Sequence, residues 1–162
     1  MRKRSKYRPR GVALDAWKIG MQGAQRLSIE DQLRASMPVR AAVERAARSE
    51  QTVSDWRDIF DAMNLIEAMA HVGVIKDARE FVEAHQETIV QIMDRHRATG
   101  SNVLRPVEIE MLRELSATWA QVLGVCTHRE LFAAQERVVN KVRNALAQSS
   151  NGSVRVVEAV AV

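Results

Sequence analysis

Apolar residues recur along this chain in steps of three and four, the spacing that lines one face of an α-helix. The clearest run is Val53, Trp56, Ile59, Phe60, Met63, Ile66, Met69 and Val72. Thr52 with Asp55 suits the start of that helix, and Gly73 its stop. The same period continues from Ile75 to about Thr99 through Ala78, Phe81, Val82, His85, Ile89, Ile92 and Met93, and Gly100 closes it. Joined by only a few residues, these two helices are expected to pack antiparallel as a hairpin. Pro106, followed by Glu108 and Glu110, starts a further helix carrying Ile109, Leu112, Leu115, Trp119, Val122 and Leu123. Thr127 with Glu130 is a full capping box for the last helix, with Leu131, Phe132, Val138, Val142, Ala145 and Leu146 read as inward. Together these make a second expected hairpin.

The ends are less regular. Ser28 with Asp31 marks a helix start, and Pro38 interrupts the pattern ten residues on, which predicts a short helix near 28–36 and a second from Pro38 to about Arg48. Gly11, Gly20 and Gly23 disfavour a long helix over residues 11–27, where Trp17 is an anchor that could pack on the body. The C-terminal QSSNGS is a flexible composition; the VRVVEAVAV after it reads as a loose tail, or as a strand added to another chain. The expected fold is therefore all-α: a single helical bundle of about five or six helices built from antiparallel hairpins, with an extended basic N-terminal arm and a loose C-terminal tail. The boundaries are 1–27 for the arm and irregular segment, 28–148 for the bundle and 149–162 for the tail. A length of 162 residues suits one such domain.

Charge changes this picture more than composition does. The formal net charge is +4, but residues 1–10 hold Arg2, Lys3, Arg4, Lys6, Arg8 and Arg10 and no acid. The remaining residues carry 18 of the 24 cations against all 20 acids, a net of −2. Basicity thus belongs to the arm. Arg side chains there suit phosphate oxygens, Tyr7 suits stacking on an unpaired base, and Pro9 favours an extended backbone. The bland alternative is a solubilising terminus, or one that docks on acidic protein surface.

Catalytic chemistry finds little to stand on. His85 and His96 are eleven residues apart, about 16 Å along a helix, too far to share one ion. Glu67 and His71 stand at i and i+4 without a second pair at ligand spacing, so no metal or other cofactor is expected. Cys126, the single cysteine, precedes a capping Thr127 and His128, but no motif places a base or an oxyanion hole beside it, and a buried structural thiol is the better reading. No glycine-rich phosphate loop is present. A helix-turn-helix around Ala120, Gly124 and Val125 breaks where its second helix needs an apolar interior residue and has Glu130. The expectation is a non-enzymatic protein. With no apolar stretch near the roughly 20 residues that span a bilayer and no signal-peptide pattern, no membrane association and a cytoplasmic location are expected.

The run Lys3 to Arg10 (KRSKYRPR), the segment around Trp17, the helix start Thr52 to Asn64 and the CTHREL segment Cys126 to Leu131 resemble a loose group of small phage and prophage proteins. What the resemblance implies is a phage origin, and hence a bacterial host cell; it carries no site residues. The leading expectation is an accessory protein whose Arg2, Lys3, Arg4, Lys6, Arg8 and Arg10 contact nucleic-acid phosphates, with Tyr7 stacking. The alternatives are a protein-binding modulator of a bacterial host factor in defence or transcription, and a homo-oligomeric virion or packaging component.

Overall fold

The computed structural model describes residues 23–76 and 78–150. Among them are five helices and no strand: α1 (Ile29–Ala47), α2 (Val53–Val72), α3 (Arg79–Thr99), α4 (Pro106–Val125) and α5 (His128–Ser150). The all-α bundle expected from the periodicity is the fold observed. The basic arm at 1–10 and the tail beyond residue 150 lie outside the described residues.

Local chemistry sets the helix ends. The Ser28 hydroxyl accepts from the Asp31 N–H, and Thr52 and Thr127 form reciprocal boxes with Asp55 and Glu130. Pro106 is at the first position of α4. Gly73 and Gly100 end α2 and α3 in the left-handed region, at φ +90° and +69°. Ser49, at φ +60°, makes the corresponding turn after α1 without the freedom of glycine.

One expected boundary is absent: α1 runs straight through Pro38. Proline removes one backbone bond and crowds the preceding turn, at a cost of about 3 kcal/mol in a helix interior. Pro38 is exposed, so water reaches the carbonyl it leaves without a donor. The next turns bury Val39, Ala42, Val43 and Ala46, at about 1.5–3 kcal/mol for each valine, which outweighs the break.

Helix α2 is the centre of the bundle and touches the other four. Its Ile59, Ala62, Met63, Ile66 and Met69 meet Val43 of α1, Ile89 of α3, and Leu112, Leu115 and Leu123 of α4 in one aliphatic core. Helices α1 and α4 pack antiparallel: Glu44 pairs with Arg113 at 3.1 Å, while further along the Trp119 indole N–H donates to the Ala35 carbonyl at 3.2 Å. Helices α3 and α4 are antiparallel as well, with His85 beside Met111 and Arg95 beside Glu108. Helix α5 departs from the expected second hairpin. It packs along α2, where Lys141 reaches Glu67 at 2.6 Å, instead of folding back on α4.

The inward face read for α5 is also corrected. Ala134 is buried and Leu131 and Val138 are half-buried, but Phe132, Val142, Ala145 and Leu146 are exposed. One helix leaning on one neighbour covers only a narrow stripe, and apolar residues on the adjacent face stay in solvent.

Two buried carboxylates tie successive helices together. Asp55 and Glu108 are each the third residue of their helix, and each accepts from the backbone N–H at its own helix start. Each is also held by an arginine near the end of the preceding helix, Arg45 for Asp55 and Arg95 for Glu108. These charge-assisted bonds hold both acids below the ordinary carboxylate range, Asp55 at about 2.

Candidate nucleic-acid interface

The seven arm residues named from the sequence, Arg2, Lys3, Arg4, Lys6, Tyr7, Arg8 and Arg10, all lie outside the described residues. What the structure does define is where the chain that follows them joins the bundle. Residues 23–27 are stitched to the corner between α4 and α5. The Leu27 N–H donates to the Cys126 carbonyl at 3.4 Å and the His128 N–H to the Gln25 carbonyl at 3.0 Å, an antiparallel bridge centred on Arg26 and Thr127. Leu27 is buried there, and a side chain at Gly23 would meet the Arg129 Cβ at 3.4 Å. The N-terminal chain therefore enters beside the first turn of α5.

Exposed cations continue from that entry point. Arg26 and Arg129 flank it, and Arg137 and Arg143 follow along α5, against Glu136 as the exposed acid of that helix. Glu130 is engaged in its cap, and Asp31 faces His128 at 3.9 Å. The Ser28 hydroxyl, donating at 2.6 Å, lowers the Asp31 carboxyl from its ordinary value. On α3 the balance is opposite, with Glu80, Glu83 and Glu87 exposed. Sequence reading found the arm but missed the cations of α5, because nothing local separates a cation engaged with the bundle, such as Lys141, from ones that are not, such as Arg137 and Arg143.

The other candidate groups are occupied structurally. His85 is buried, with Nδ1 2.7 Å from the Phe81 carbonyl, Nε2 3.0 Å from the Met111 carbonyl, and its ring against Phe81. Glu67 is paired with Lys141, and among the described residues no three His, Cys, Asp or Glu side chains gather as a metal site would need. Cys126 is fully buried, its Sγ 3.8 Å from the Leu123 carbonyl; burial, with Glu130 nearby, pushes its thiol up to about 11. A shallow groove of about 410 Å³ between the α2–α3 turn and α4 is lined by Ile66, Ile75, Phe81 and Val122, with Lys76 at its edge. Among the described residues, no carboxylate or histidine lines it. No helix among the described residues is long and apolar enough to cross a membrane.

Compared with known protein families, curated proteins and solved structures, the chain matches none.

Proposed function

We propose that this is a non-enzymatic accessory protein of phage or prophage origin, which uses its basic arm to hold nucleic acid by the phosphates. The observation that carries the reading is the segregation of charge: six cations and no acid in residues 1–10, against a net of −2 over the rest of the chain. Arg2, Lys3, Arg4, Lys6, Arg8 and Arg10 are the phosphate ligands and Tyr7 stacks on an unpaired base. The chain's entry beside Arg26 and Arg129 supports this reading, because a strand held by the arm meets further cations where it reaches the bundle, while the acidic surface of α3 repels phosphate. The phage origin rests on the resemblance of the Lys3 to Arg10 run, and the site of action is then the cytoplasm of a bacterial host.

The test is binding of single- and double-stranded oligonucleotides across salt by the intact chain and by a full-length variant with the six arm cations replaced by glutamine. With all six engaged, log affinity falls against log salt with a slope of about −5 on duplex and about −4 on single strands. The glutamine variant loses that dependence, and Tyr7→Ala weakens single-strand binding by about 1–3 kcal/mol while sparing duplex. An intact protein that binds neither strand type at low salt ends the proposal.

A further inference from the structure

Helix α5 has two apolar faces, and the bundle uses one. Leu131, Ala134 and Val138 turn to the core. On the adjacent face Phe132, Val139, Val142 and Leu146 are 61%, 54%, 50% and 57% exposed. Their spacing of seven, three and four residues is that of a helix–helix seam, and Gln135 takes the remaining seam position. The stripe runs on the order of 20 Å along the helix, which sets it apart from single apolar residues scattered on a surface.

The positions flanking this seam specify its occupant. On the side towards the core they are Leu131 and Val138, packed against it, and the small Ala145, which is exposed. On the solvent side they are Arg129, Glu136 and Arg143, all exposed. Neither Glu136 nor Arg143 forms an ion pair among the described residues. A parallel copy would bring this charged flank against the packed Leu131 and Val138 flank and leave both charges without a mate. An antiparallel copy, turned about a two-fold axis between Val139 and Val142, sets each Glu136 beside the other copy's Arg143 and each Val139 against the other copy's Val142. Both the apolar seam and the charge pair are then satisfied twice by one symmetric contact.

We propose that α5 is a self-association surface through which two copies of this chain pair antiparallel. The apolar area offered is on the order of 300–400 Å² per copy, below the roughly 800 Å² per partner of a standard interface, so the dimer is weak and forms with rising concentration. The contact stands independently of what the arm binds.

Sedimentation of the full chain from about 1 to 300 µM reads this directly. The expected result is a concentration-dependent shift from monomer to dimer. Val139→Glu with Val142→Glu abolishes it and leaves helicity unchanged, since both side chains already face solvent. Glu136→Arg alone weakens the dimer about tenfold, and adding Arg143→Glu restores it to within a few-fold. A monomer at every concentration overturns the proposal, as does a dimer that Val139→Glu with Val142→Glu leaves intact or a charge swap without effect. Labelling Val139→Cys with a thiol reagent adds a separate reading. Protection that appears only in the dimer is the expected result. Protection in a strict monomer means that another segment of the same chain covers the stripe, and that also overturns it.

Discussion

Arg95, one turn before the end of α3, holds both carboxylate oxygens of Glu108, the third residue of α4, at 2.5 and 2.6 Å. Glu108 simultaneously accepts from the Arg105 N–H at 2.7 Å, so one buried acid both starts a helix and fixes it to the helix before. Asp55 does the same with Thr52 and Arg45. In each pair the acid is almost wholly buried, 1% exposed for Asp55 and 5% for Glu108, while the arginine keeps contact with water, which limits the desolvation cost of its charge.

Breaking either clip from one side is expected to destabilise the bundle. Glu108→Gln leaves the Arg95 guanidinium without its counter-charge, and Arg95→Met leaves a buried carboxylate; each costs about 1–3 kcal/mol, read as a lower denaturation midpoint in urea. The double variant Arg95→Met with Glu108→Gln is less damaging than the sum of the two, because no isolated charge remains.

Acid should unfold the protein through these same groups. Both have folded-state pKa values below their ordinary 3.8 and 4.5, so the stability they contribute is fully present above those values and is lost as pH falls through the depressed ones, about 2 for Asp55. Thermal midpoints measured between pH 6 and pH 2 therefore decline over that window. Asp55→Asn, less stable at neutral pH, shows a shallower decline, since it has one fewer depressed carboxylate to protonate.

Cys126 should behave as a core residue. With its thiol pushed up to about 11 and no exposed surface, a thiol reagent at pH 8 labels it only as fast as the bundle opens, and labelling becomes immediate in denaturant. Cys126→Ala keeps the fold with a modest loss of stability.

The turn residues give opposite predictions. Ser49 occupies φ +60°, where a side chain is strained, and Ser49→Gly is expected to raise stability by about 0.5–1 kcal/mol. At Gly73, φ +90°, an added Cβ would meet nothing within 4 Å, so Gly73→Ala costs about 1 kcal/mol from backbone strain alone. Chemical denaturation of the two variants separates these signs.

What the sequence by itself determined is local. Thr52 with Asp55, Thr127 with Glu130, Pro106, Gly73 and Gly100 mark helix ends because capping and backbone freedom act within a few residues, and the three-and-four spacing through Ile59, Ile66, Ile89 and Leu115 exposes a core face. The concentration of cations in residues 1–10 is equally a property of order along the chain. What only the tertiary structure decided are pairings across the chain. The continuity of α1 through Pro38 depends on Val39 and Val43 finding α2 and α4 to pack against. That Asp55 and Glu108 are buried and clamped depends on where Arg45 and Arg95 fall in the preceding helices. Periodicity cannot tell a face that meets a neighbour from one that meets water, and so it placed Phe132, Val142 and Leu146 inside. Helix α5 leans on α2 along one stripe only, and those residues face outward.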